Sequence, residues 1–190
     1  MNKVFVFDFD GVICDSTNEC MINSYNSWEI VNKRKNYKYL VSEIPNKYKK
    51  KFKIIRPYVK GAGEYFAANK IIQGKNFENI NQNTYNEFCL KYKKNFDYFA
   101  NIFLKKRQNL KKMNLNKWIK LHKIYKEVIN FIKIKQQTDI VYIATLKDGE
   151  SVKLILEYYG IKLDDKFFFD RKVIKSKIEA LQKIRKKTRK

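Results

Sequence analysis

The chain has 190 residues, 44% of them hydrophobic and 15% aromatic, enough for one cored domain or one domain carrying an insertion. Apolar stretches such as Ile140–Leu146 are far too short to span a bilayer, and the N-terminus lacks the basic flank and long apolar segment of a secretory leader. The formal net charge is +23, but only six of the 42 basic residues are arginine, so the charge does not carry the signature of specific nucleic-acid recognition.

In chain order, Val4-Phe5-Val6-Phe7 is an unbroken apolar run, which predicts a strand buried on both faces of a parallel sheet. It stops at Asp8-Phe9-Asp10-Gly11, where glycine allows a sharp turn. Ser16 followed three residues later by Glu19 is a capping-box signal, and the helix it opens runs toward Lys33-Arg34-Lys35. From about Tyr37 to Lys75 the pattern is broken by Pro45, Pro57, Gly61, Gly63 and Gly74, with a short helix expected around Glu64–Ile72. A second capping box at Thr84–Glu87 precedes Phe88, Tyr92, Phe96, Phe99 and Phe103, the core-facing stripe of one long amphipathic helix. Another helix is expected over Trp118–Ile132. Ile140–Thr145 reads as a second buried strand, and Asp148-Gly149-Glu150 opens a helix that stops at Gly160. Phe167–Asp170 reads as a third short strand. A final helix carries Ile178, Leu181 and Ile184 and ends in a basic tail, Arg185–Lys190. The pattern is that of an α/β core interrupted by roughly 110 residues of helical character.

In open α/β sheets ligands bind just outside the carboxyl ends of the strands, which is where Asp8 and Asp10 fall. Paired carboxylates there suit phosphoryl transfer: one attacks phosphorus, and the other protonates the leaving oxygen and then activates water. Both are hard oxygen donors for Mg²⁺. The competing reading of the pair is a strand ending in a polar turn. Cys14, Cys20 and Cys89 are scattered and form no Cys-x-x-Cys pair, which argues against a disulfide framework or zinc site and fits a reducing cytoplasm. The abundance of Lys, Asn, Ile and Tyr, all with A/T-rich codons, accounts for much of the positive charge without a partner. A positive field would still attract small anionic phosphate esters.

Asp8-Phe9-Asp10-Gly11-Val12, a helical insertion, a strand ending in Thr145 and a lysine near the C-terminus resemble the haloacid dehalogenase superfamily. The branch resembled is the phosphoglycolate-phosphatase-like and β-phosphoglucomutase-like one, with a helical cap after the first motif. The resemblance covers residues 1 to about 30 and about 121 to 184. It implies a Rossmann-like parallel-sheet core made of residues 1–15 and 124–190, a helical cap of residues 16–123 that closes over the core and selects the substrate, and a cytoplasmic Mg²⁺-dependent phosphatase. Asp8 matches the nucleophile and a metal ligand. Asp10 matches the general acid/base, with its backbone carbonyl also on the metal. Thr145 matches the phosphate-holding hydroxyl, and Lys177, with Lys175 as the fallback, matches the charge-neutralising lysine. The backbone N–H groups after Asp8, around Gly11, complete the substrate-binding set with Thr145 and Lys177. The implied partner is a small phosphorylated metabolite, with no membrane and no specific nucleic acid; the oligomeric state is left open.

The family's fourth motif, an acidic pair on a further strand that completes the Mg²⁺ site, has no match after the Lys177 helix. Asp164-Asp165 precedes the third strand and is in the wrong place to substitute. The expectation is a truncated form of a longer phosphatase, with β-edge groups of Val4–Phe7 left open. Two alternatives stand beside it: a phosphomutase with the same site, and a catalytically impaired remnant acting as a basic polyanion- or protein-binding module. His122, the single histidine, and Arg56, the one arginine of the breaker-rich stretch, are both expected at the surface.

Overall fold

The computed structural model describes residues 3–74, 77 and 80–188; Lys75 and the last two residues of the basic tail lie outside the described residues. The chain is α/β. In order it forms β1 (Val4–Phe7), β2 (Cys14–Asp15), α1 (Thr17–Val31), α2 (Asn46–Ile55), α3 (Tyr65–Gln73), α4 (Gln82–Tyr92), α5 (Phe96–Met113) and α6 (Leu115–Lys120). Then follow β3 (Lys123–Ile124), α7 (Lys126–Thr138), β4 (Ile140–Ala144), α8 (Gly149–Tyr158), β5 (Phe168–Phe169) and α9 (Lys177–Thr188). It divides into two compact units, one made of residues Met1–Ser16 and Lys123–Lys190, the other of Thr17–His122. Among the described residues no helix is long and apolar enough to cross a membrane.

The first unit is built on a parallel three-stranded sheet in the order β1-β4-β5, with Phe7 opposite Ile143 and Ala144 opposite Phe169. β4 is the central strand, and Val141–Ala144 are buried. β1 is an edge strand, so the burial on both faces expected of its apolar run is not reached: Val4 is 38% exposed and Phe5, Val6 and Phe7 are half-buried. Phe5 and Phe7 pack edge-on against Phe131 of α7. Tyr142, Ala144 and Phe169 pack with Ala180 and Ile184 of α9, and Val6 lies against that cluster. Of the apolar residues of α9, Ile178 and Leu181 are exposed, and Ala180 and Ile184 set the buried face. The third strand is shorter than its sequence suggests: Phe167 closes a 3₁₀ turn, Asp165–Phe167, and only Phe168 and Phe169 run beside β4.

The expected helix Trp118–Ile132 is two helices separated by β3. Lys123 and Ile124 pair antiparallel with Asp15 and Cys14, where the chain leaves and re-enters the first unit. This pairing overrides the local helical period. α8 starts where expected: the Asp148 carboxylate accepts from the Ser151 N–H at 3.0 Å.

The second unit is helical. The aromatic stripe is core, as its spacing predicts, with Phe99 and Phe103 fully buried and Phe88, Tyr92 and Phe96 packed against the same cluster. It lies on two helices instead of one, because a 3₁₀ turn at Lys93–Asn95 separates α4 from α5. The cap of α4 is Asn81, whose carboxamide oxygen accepts from Asn83 and Thr84 N–H, and Thr84 serves at the third helical position. His122 is buried, not exposed, with its ring 4.8 Å from that of Trp118. Arg56 is half-buried and donates to the Val59 carbonyl, so it is engaged locally.

α1 is buried on nearly all sides although it is rich in polar residues. Several of those groups find partners inside the unit. Asn69 Nδ2 donates to Ser24 Oγ at 2.8 Å, and the Tyr48 hydroxyl donates to Asn69 Oδ1 at 2.9 Å. Desolvation pushes the Tyr48 phenol well above its ordinary value, and burial reinforced by Glu64 does the same for Tyr85. A phenol raised in the folded state contributes stability that is complete below pH ~10, where the unfolded phenol begins to ionise, and is lost as pH rises further. Each group is expected to lower stability by about 1.4 kcal/mol per pH unit above that point. Urea unfolding of Tyr48→Phe and of the parent chain at several pH values between about 9 and 11 should show a shallower alkaline slope for the variant. Equal slopes would contradict this account.

Candidate active site

β1, β4 and β5 are parallel, so their carboxyl ends lie together. The register sets Asp8 level with Ala144, and Thr145 level with Asp170. The turn after β1 closes on the Phe9 carbonyl, which accepts from Ile13 N–H at 2.9 Å and Cys14 N–H at 3.1 Å. Gly11 has φ +83°, in the left-handed region, which explains a glycine there. Its N–H donates to the Cys14 carbonyl at 2.7 Å, and Phe9 N–H donates to the Asp8 carboxylate at 2.8 Å. The backbone N–H groups of Phe9 and Gly11 therefore hold the turn itself. The Gly11 N–H, expected in the phosphate-binding set, is bonded to the Cys14 carbonyl.

Asp8 and Asp10 are both half-buried on this turn. Of the two candidate lysines, Lys177 is the one whose ammonium bonds Asp8, at the first residue of α9. Lys175 uses its backbone N–H to bond Glu179. Asp10 Oδ1 accepts from Ser16 Oγ at 2.6 Å and has the Lys147 ammonium 3.6 Å away. The Ser16 hydroxyl, at the residue that the sequence marks as a helix cap, donates to Asp10.

Thr145 is 1% exposed, and its N–H donates to the Phe169 carbonyl at 2.9 Å. Its Oγ1 accepts from Lys147 N–H at 3.1 Å, so the hydroxyl hydrogen points elsewhere. Asp170, at the end of β5, accepts from Gly149 N–H at 3.1 Å and Lys172 N–H at 2.9 Å. It ties the start of α8 to the sheet. A Cβ at Gly149 would lie 2.3 Å from Asp170 Oδ2, so this contact requires glycine.

Lys147 and Asp170 escaped the sequence reading. In a chain with so many lysines, Lys147 is distinguished only by standing two residues after Thr145. Asp170 is distinguished only by ending an apolar run.

Among the described residues no group of three or more His, Cys, Asp or Glu side chains could hold a metal ion. The two carboxylates fit Mg²⁺ nonetheless, because this ion is commonly held by one or two carboxylates, with waters and substrate phosphate oxygens as the other ligands. Three carboxylates (Asp8, Asp10 and Asp170), two ammonium groups and two hydroxyls stand at this sheet end, a set that can orient an oxyanion and move a proton. Comparison with protein-family models, curated proteins and solved structures gave no match to this chain.

Proposed function

We propose that this chain is a phosphatase of the haloacid dehalogenase type, hydrolysing a small cytoplasmic phosphate monoester through an aspartyl-phosphate on Asp8. On this reading the first unit corresponds to the family's Rossmann-like core and the second to its helical cap. The observation that carries it is the Asp8–Lys177 pair beside Asp10 at the carboxyl end of a parallel sheet.

An Asp8 carboxylate oxygen attacks phosphorus, and the bond from phosphorus to the leaving oxygen breaks. Asp10, in its acid form, gives that oxygen a proton. Asp10, now a carboxylate, takes a proton from water; the water oxygen attacks phosphorus, and inorganic phosphate leaves with Asp8 restored. Lys177 and the Thr145 hydroxyl offset charge on the phosphoryl oxygens, the main electrostatic demand of this reaction. Asp8 and Asp10 would hold Mg²⁺, which when bound adds positive charge beside the same oxygens. Ser16 orients the Asp10 carboxylate.

The test is phosphate release from p-nitrophenyl phosphate and a panel of sugar and carboxylic-acid monoesters, with Mg²⁺ and with EDTA. Turnover with Mg²⁺ that disappears with EDTA is expected. No turnover together with no binding of inorganic phosphate would remove this reading. The second reading, a polyanion-binding module, is favoured by the net charge of +23. It predicts binding of nucleic acid whose log K falls steeply with log salt.

A further inference from the structure

The last helix, α9, carries apolar residues on two sides. Ala180 and Ile184 are buried with Tyr142, Ala144 and Phe169. Ile178 and Leu181 are 69% and 53% exposed, and Val173, in the loop that leads into the helix, is 49% exposed. Ile178, Leu181 and Arg185 follow one another at steps of three and four, so they share one outward stripe. The loop is held in place, because the Lys183 ammonium donates to the Val173 carbonyl at 2.8 Å and Ile174 is buried in the same cluster as Ala180. Three aliphatic side chains are thus offered to solvent from an ordered backbone.

The charge around them is nearly all positive. Residues 171–188 hold eight Lys and Arg side chains and one carboxylate, Glu179. Glu179 is engaged by the Lys175 N–H and the Lys183 ammonium. Asp170, just before this stretch, is buried and accepts from the N–H groups of Gly149 and Lys172, and Lys177 is paired with Asp8. Arg171, Lys172, Lys175, Arg185, Lys186 and Lys187 remain, all of them exposed. Aliphatic side chains ringed by arginine and lysine match the boundary of an anionic bilayer, where apolar groups enter the headgroup layer and basic groups meet lipid phosphates. Nucleic acid would answer the charges but leave Ile178 and Leu181 in water, and a second copy of the chain would bring like charges together.

We propose that the outer face of α9 and the loop before it dock on anionic lipid headgroups at a membrane surface, with Ile178 and Leu181 inserted among them. The sequence resemblance implies no membrane partner; this surface is assigned by exposure and charge, and it does not depend on the phosphatase reading.

Flotation of the whole chain with lipid vesicles tests this. Binding is expected to vesicles of phosphatidylcholine mixed with phosphatidylglycerol, not to phosphatidylcholine alone, and it should weaken as salt is raised. Arg185→Gln/Lys186→Gln should weaken it about 25-fold, at about fivefold per basic residue near the surface. Ile178→Ser/Leu181→Ser should weaken it about tenfold or more. Lys93→Gln/Lys94→Gln removes the same charge from an exposed turn of the second unit and should cost less than about threefold. In Leu181→Trp the emission should move to the blue on the mixed vesicles; Trp28 and Trp118 are buried, so the parent chain is the reference. This variant decides the matter if the serine variant does not fold. A parent chain that leaves the mixed vesicles unbound overturns the proposal. So do equal losses from the two charge variants, which mark adsorption by net charge alone, and unchanged binding in a folded Ile178→Ser/Leu181→Ser chain. A Leu181→Trp chain whose emission stays put on vesicles, while a duplex oligonucleotide binds and is lost in Arg185→Gln/Lys186→Gln, overturns it in favour of nucleic acid.

Discussion

Replacing Asp8 by Asn is expected to lower Mg²⁺-dependent phosphate release by about four orders of magnitude or more, the scale seen when a covalent nucleophile is removed. The carboxamide has nearly the shape of the carboxylate, and its oxygen can still accept from the Phe9 N–H that Asp8 now bonds. What it loses is the charge and nucleophilicity needed to form an acyl phosphate. Lys177 loses its ion-pair partner and is left to the substrate. Binding of inorganic phosphate should therefore survive, within about a factor of ten. Steady-state kinetics paired with phosphate titration separates the two effects. Retained turnover would rule out Asp8 as nucleophile. Loss of binding together with turnover would mark Asp8 as a structural residue of the turn. A phosphomutase with the same site would also fail in Asp8→Asn, but its parent chain would isomerise sugar phosphates faster than it hydrolyses them.

Arg107→Met is expected to destabilise the chain by about 3–5 kcal/mol, the cost of stranding one member of a buried ion pair. Glu19 on α1 is 0% exposed, and Arg107 on α5 is 5% exposed. The guanidinium grips the carboxylate with two bonds, Nε to Oε1 at 2.6 Å and Nη2 to Oε2 at 3.0 Å. Asn23 Nδ2 adds a third donor to Oε1. The methionine would keep much of the packing against Phe103, so the loss measures the stranded carboxylate more than a cavity. Urea unfolding of Arg107→Met and of the double variant Glu19→Gln/Arg107→Met provides the check. The double variant should recover a large part of the loss, because no uncompensated charge remains. A loss below about 1 kcal/mol in the single variant would show that Glu19 finds other compensation.

The parts of the fold legible in the sequence were those set by contiguous residues. The apolar run into Asp8-Phe9-Asp10-Gly11 marked a strand and its turn, the Ile140–Ala144 run marked the second strand, and Asp148 marked the start of α8. The buried aromatic positions on α5 followed from helical spacing alone. Local rules governed these segments, so local patterns revealed them.

What the sequence left open were questions of pairing between distant segments. β1 became an edge strand because β4 lies between it and β5, and no run of residues carries that order. Lys123 and Ile124 left a helical pattern because Cys14 and Asp15, more than a hundred positions earlier, offered backbone partners. Lys147 on Asp10, Ser16 on Asp10 and Arg107 on Glu19 were likewise invisible, because a charge or hydroxyl in this lysine-rich chain looks the same whether it faces water or a buried carboxylate. Residue types and their spacing determined which segments became strands and helices and where a pair of carboxylates would stand. Only the tertiary structure decided which side chains lost their water and what compensated them, since desolvation and ion pairing depend on neighbours in space.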